Sequence, residues 1–215
     1  MPQKKIINID FMHQQWLQLL EENSLSESIV EEQWQNLRKH YQESHRHYHN
    51  LTHLQELFEL LLPLAAKLEH PKAVYFAIFY HDIIYNSFRK DNELKSAEYA
   101  DKVLPLLKVD STTIQLTYSL IMATKDHHAM LPSNDFHYFL DADLAILGAN
   151  REKYDAYAKA IRQEYRHVPS ILYRRGRKKV LQHLLQKTPL YNTPEFFERF
   201  EAQARANIKM ELKLL

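Results

Sequence analysis

Apolar residues recur three and four positions apart through most of the chain: Phe11, Trp16, Leu17 and Leu20, then Ile29, Trp34 and Leu37, then Leu51, Leu54, Leu57, Phe58 and Leu61. That spacing lines one face of an α-helix. It continues over Val74 to Ile84, Ala97 to Leu107, Ile114 to Ala123, Tyr154 to Tyr165, Ile171 to Leu185 and Phe196 to Leu214. Nowhere is the two-residue alternation of a strand sustained. The breaks carry helix stop and start signals, as at His70-Pro71, Val109-Asp110-Ser111, Leu131-Pro132-Ser133-Asn134, Val168-Pro169-Ser170 and Thr193-Pro194-Glu195. The pattern predicts an all-α protein of roughly nine or ten helices.

Composition narrows the function. A chain of 215 residues fits one domain, read here as 1–215. Its segment from about 45 to 150 carries the chemistry, and a tyrosine- and arginine-rich helical extension runs from about 151 to 215. With two glycines, the chain lacks the material for many-stranded folds and for phosphate-cradling loops. Without cysteine it has neither thiol chemistry nor thiolate metal sites. A formal net charge of +1 gives no general attraction to nucleic acid or membrane. The amino terminus lacks a leader's apolar run and no stretch reaches the ~18 apolar residues of a membrane span, so a cytoplasmic location without membrane partners is expected. The anomaly is thirteen histidines.

These gather with aspartates in three places. In Arg46-His47-Tyr48-His49-Asn50-Leu51-Thr52-His53, Asn50 is a plausible helix cap. His53 then sits in the first turn, with His49 on the loop before it. One can ligate while the other moves protons, or both are solvated surface histidines. In Tyr80-His81-Asp82-Ile83 an ionisable pair is set among apolar residues. Burying such a pair is expensive unless each member is paired or coordinated, and a divalent cation satisfies both; an internal His-Asp hydrogen bond is the alternative. In Asp141-Ala142-Asp143 the two carboxylates cannot face one way on a regular helix, so one ligates while the other caps or orients. Asp143 is taken as the ligand.

The order and spacing of these clusters resemble the HD superfamily of metal-dependent phosphohydrolases, whose His, His-Asp, Asp pattern is filled by His53, His81, Asp82 and Asp143. His49-Asn50-Leu51-Thr52-His53 is similar to the HNxxH segment of cyclic nucleotide phosphodiesterases, which implies that His49 is the proton donor. A narrower resemblance, to bacterial metal-dependent HD phosphohydrolases, extends over most of the chain. It rests on Arg46 to Asn50, His81 to Tyr85, Asp91 to Ala97, Asp141 to Leu144, Ile161 to Tyr165 and Ala204 to Asn207. It implies a helical HD-domain bundle with additional C-terminal helices.

The resemblance implies one divalent ion (manganese, iron, cobalt, nickel, zinc or magnesium) on two histidines and two aspartates. The expected reaction is hydrolysis of a small phosphate ester such as a nucleotide, with Asp82 also orienting the water. Arg46, Arg89, Lys90, Lys95 and Lys125 are candidate phosphate contacts, Glu93 can reach the ion's water or a substrate hydroxyl or belongs to the capped start of the next helix, and His127 and His128 are candidate extra ligands or an exposed helix end. Tyr48, Tyr80, Tyr85 and Tyr165 can flank a nucleobase. Two other functions stay open: a metal-containing nucleotide sensor or scaffold without turnover, and a nucleic-acid-associated protein using Arg174-Arg175-Gly176-Arg177-Lys178-Lys179.

Overall fold

The stretch most apolar in sequence becomes the helix around which the first part of the chain is arranged. α4 (Pro71–Tyr80) buries seven of its ten residues, Ala73, Val74, Phe76, Ala77, Ile78, Phe79 and Tyr80. A helix apolar on every side must be covered on every side. α1 (Ile9–Leu20), α3 (Leu51–Leu61), α5 (Asn92–Val103) and α6 (Ser111–Ala123) all pack on it, and α2 (Glu27–Tyr41) packs on α1. Trp16 and Trp34 present their rings edge-on to Phe79 at 5.4 and 6.4 Å. The buried Tyr41 hydroxyl donates to the Phe79 carbonyl at 2.9 Å.

The computed structural model describes residues 8–128, 130 and 132–215. Residues 1–7, read above for a leader, and Leu131, read as part of a helix stop, lie outside them. Ten α-helices and three 3-10 turns, with no strand, make up the secondary structure among the described residues. None of these helices is long and apolar enough to cross a membrane. The residues form two units that divide between Leu140 and Asp141, inside the unbroken helix α7 (Asn134–Leu144). Sequence placed a C-terminal extension later, from about residue 151. The division comes earlier because the turn Ala145–Gly148 packs with α8 (Arg151–Glu164) and α10 (Pro194–Leu214).

Helix boundaries follow capping chemistry. Asn50, Asp110 and Asn150 each accept a hydrogen bond from a backbone N–H of the helix they begin, α3, α6 and α8. The helix expected to run to Ile84 ends at Tyr80 instead, with His81 as its C-cap. α3 tightens after Leu61 into the 3-10 turn Leu62–Lys67, where Pro63 has no N–H to continue the ladder.

In the second unit Asp141, fully buried, accepts hydrogen bonds from the backbone and side chains of both Asn192 and Thr193 at 2.7 to 3.2 Å. It thereby fixes the start of α10, whose N-cap is Thr193. Asn207 donates to the carbonyls of Leu147 and Ala149, holding the Ala145–Gly148 turn from the other side. α9 (Ser170–Gln186) also packs on α10. The approach at Gly148 is close: a Cβ there would lie 2.5 Å from Phe200 Cβ and 2.7 Å from the Phe200 carbonyl oxygen. Gly176, within α9, has nothing within 4 Å of such a Cβ.

The two glycines therefore predict opposite outcomes. Gly148→Ala lowers unfolding stability by about 1–3 kcal/mol, because backbone must move. Gly176→Ala raises it by up to about 1 kcal/mol through helix propensity. Urea titrations of both variants check this, and a Gly148→Ala protein as stable as the parent removes the close-approach argument.

Candidate metal centre

His53 is placed by a capped helix start and His81 by a hydrogen bond of its ring to backbone. Asn50 accepts from Thr52 N at 2.9 Å and donates through Nδ2 to the His47 carbonyl at 3.1 Å. This fixes the loop and places His53, 3% exposed, in the first turn of α3. His81, 2% exposed, follows the last residue of α4, and its Nδ1 lies 3.0 Å from the Ile78 carbonyl oxygen. A carbonyl only accepts, so Nδ1 carries the proton and Nε2 turns toward the cluster. The Phe139 ring meets His81 edge-on at 5.8 Å and closes one side.

The ligand atoms converge. His53 Nε2 is 3.1 Å from His81 Nε2. Asp82 Oδ2 is 3.1 Å from His81 Nε2 and 3.9 Å from His53 Nε2. Asp143, the fourth expected ligand, lies on α7 in the second unit. Burial by itself raises the Asp82 pKa, but the imidazoles of His81, His49 and His53, with a hydrogen bond from His81, outweigh it and hold the carboxylate well below the usual range. With Nδ1 engaged by Ile78, His81 meets Asp82 and His53 through Nε2, either as an imidazolium donating to the carboxylate or through a lone pair that a shared cation takes up. A divalent ion fits this mixed nitrogen and oxygen set. Two ligands each about 2.1 Å from one ion and near a right angle lie about 3 Å apart, the spacing of these imidazole nitrogens.

His49 stands beside this group, half-buried, stacked on Tyr85 at a centroid distance of 4.2 Å and edge-on to Tyr48 at 5.1 Å. Its ring is 6.1 Å from that of His53. Two aromatic neighbours thus hold the imidazole next to the ligands.

Arg46 serves the site differently from the phosphate contact expected of it. Its side chain is buried, and every guanidinium nitrogen is engaged: Nε donates to Glu43 at 2.9 Å, Nη1 to the carbonyls of Asp82 and His49 at 2.6 and 3.2 Å, Nη2 to the Ile83 carbonyl at 2.9 Å. It is a positioning residue that ties the His49 loop to the His81-Asp82 turn. Ser96 of α5 adds a second tie, bonded to both the N–H and the carbonyl of Ile84.

The remaining candidates are scattered. Arg89 is exposed and forms a two-pronged ion pair with Asp91 at 2.7 and 2.8 Å. Lys95 pairs with Glu98 at 2.7 Å. Lys90 and Lys125 are exposed, and Glu93 is half-buried in the first turn of α5. Asn92, beside it, pins the loop by bonding Asn86 N and O. His127 adopts a positive φ of 46° after α6, and His128 is exposed. Neither joins a ligand group among the described residues. Tyr80 is 1% exposed in the core beside Trp16 and so cannot flank a base. Tyr165 stacks with His167 in the second unit. The run Arg174 to Lys179 is not a uniform basic face, because Arg177 is buried and paired with Glu211 at 2.8 and 3.1 Å.

A second set of ligand types, Glu69, His70 and Asp135, also clusters. Here the Asp135 carboxylate already accepts from Glu69 N, His70 N and His70 Nδ1 at 2.8 to 3.2 Å, which explains it as the clamp at the start of α4. Sequence reasoning missed Ser96 and Phe139, and it missed the positioning use of Arg46. Each acts across 12 or more residues of chain, with no local periodic signal. In comparison with known proteins, no family model, curated protein or solved structure matches the chain.

Arg46→Met is expected to cost about 2–4 kcal/mol of unfolding stability, since buried carbonyls lose their donors. Arg46→Lys restores only part of it, because a point charge cannot serve several carbonyls in a plane. Denaturant titration measures both, and a loss below about 0.5 kcal/mol for Arg46→Met would contradict the positioning role.

Proposed function

We propose that the protein is a metal-dependent hydrolase of small phosphate esters of the HD type, a nucleotide or similar metabolite being the substrate class. The observation that supports it is the convergence of His53, His81 and Asp82 on one point, with His49 beside them. His53, His81 and Asp82 would hold one divalent cation, with Asp143 the further ligand that the HD resemblance implies. When bound, such an ion supplies a water of lowered pKa and neutralises charge on a phosphoryl oxygen.

The protein's own groups then divide the work. Asp82 is held ionised, so its carboxylate can accept a hydrogen bond from the attacking water and orient it as well as ligate. His49, whose ordinary pKa is near ~6.5, hands a proton to the leaving oxygen. Tyr48 and Tyr85 keep that imidazole from swinging away. The buried setting of His53 and His81 strengthens each electrostatic contact over its value in water. The reading places the enzyme without membrane partners, in the cytoplasm, acting on a soluble substrate.

Metal analysis of the purified protein, followed by a panel of phosphate monoesters, diesters and nucleotides, tests the proposal. His81→Ala and Asp82→Ala are expected to lose metal and turnover together. His49→Ala is expected to keep the metal while its rate falls by about 10²–10⁴-fold. A His49→Ala protein with undiminished rate would refute the proton-donor role, and metal retained without turnover on any ester would leave a binding sensor as the better reading.

A further inference from the structure

The second unit holds a pocket of its own, and its chemistry points to a ligand. The pocket has a volume of about 480 Å³ and opens among α8, α9 and the end of α10. One face of α8 supplies Arg151, Tyr154, Asp155, Ala158, Lys159 and Arg162, α9 supplies Tyr173 and Arg174, and α10 supplies Glu211 and Leu214. The α8 positions fall in successive turns, 151, then 154 and 155, then 158 and 159, then 162, which places them on one side of that helix.

The cations differ in whether they are already engaged. Arg162 is held by the carbonyls of Tyr165 and Val168 and lies over the Tyr173 ring at 4.6 Å. Glu211 is neutralised by Arg177 and also accepts from the Tyr154 hydroxyl. Arg151 is held by Asp155 through Nε at 2.8 Å, but its Nη1 is buried with no hydrogen-bond partner. A buried guanidinium donor left unmet is costly, and an anionic oxygen is the acceptor that relieves it best. Lys159 and Arg174 line the same pocket, are exposed and have no pairing carboxylate among the described residues. Between these cations the wall is apolar: Ala158, Leu214 and the Tyr173 ring.

We infer that this pocket is a binding site for a small phosphate monoester with an apolar body, the phosphate meeting Arg151, Lys159 and Arg174 and the body lying against Ala158, Tyr173 and Leu214. A doubly charged head suits three cations better than a carboxylate does, and the volume is in the range of small-molecule sites. The inference does not rest on the metal-dependent reading, since none of its residues belongs to that cluster. It also gives the basic run from Arg174 a role other than nucleic-acid contact: Arg177 secures Glu211, and Arg174 faces the pocket.

Calorimetric titration of the full-length protein, dialysed against a chelator so that no metal contributes, tests it with soluble hexyl phosphate as the probe. Inorganic phosphate, hexanol, phosphatidate vesicles and a single-stranded RNA oligomer serve as comparison arms. Hexyl phosphate is expected to bind at least ~10-fold more tightly than inorganic phosphate or hexanol, because both halves contribute. Lys159→Gln/Arg174→Gln, both exposed and so tolerated by the fold, is expected to weaken hexyl phosphate at least ~10-fold with an unchanged melting temperature. Arg151→Gln is expected to weaken it similarly. Equal binding of hexyl phosphate by parent and the double variant would overturn the site, as would equal binding of hexanol and hexyl phosphate. Binding confined to the vesicles or to the RNA would overturn the small-molecule assignment in favour of that surface.

Discussion

A carboxylate packed against two imidazole nitrogens needs a donated proton or a cation among them. That constraint governs the first unit of this protein. Asp82, His81 and His53 lie within 3.1 to 3.9 Å of one another, and the two histidines are almost wholly shielded from solvent. Burial opposes ionisation of Asp82, yet the neighbouring imidazoles hold it ionised. The arrangement tolerates a shared proton or a cation, and it is poor in any state without one. Apolar cover from α4 and Phe139 makes the demand stronger by excluding water that would otherwise screen the charges.

Such a cluster has to be held by parts that do not themselves carry the chemistry. Here they are carbonyl contacts. Ile78 fixes the ring of His81, and the Arg46 fork grips the carbonyls of His49, Asp82 and Ile83. Since α4 ends before His81, the His-Asp pair stands on a turn whose backbone groups would be orphaned without Arg46 and Ser96. The early end of α4 and the burial of an arginine thus have one cause: the turn that aims the ligands needs donors and acceptors from outside the helix.

The same division explains what could be read from the sequence. All-helical architecture, the cap at Asn50 and the incompatibility of Asp141 with Asp143 on one helix face are local properties set by spacing, and they are legible in single segments. Asp141 does anchor backbone, at Asn192 and Thr193. The use of Arg46 was not legible, because an arginine beside histidines looks the same whether it faces a phosphate or a carbonyl. Arg177 poses the same problem within its basic run. Its partner Glu211 lies 34 residues away on another helix, and charge patterning along one segment carries no record of it. The division of the chain inside α7 was equally hidden, since an uninterrupted helical period gives no boundary signal.

The two arginines show how a buried guanidinium can be distinguished from a functional one. Arg46 and Arg177 have each nitrogen matched, Arg46 by three carbonyls and Glu43, Arg177 by Glu211 and the Tyr157 hydroxyl. Matched in this way, a guanidinium acts as a fastener, and its charge is no longer available to a ligand. Arg151 is less buried than either, and the carboxylate of Asp155 holds its Nε while its Nη1 has no hydrogen-bond partner. The anion we infer for the adjoining pocket has the charge and geometry that suit that nitrogen.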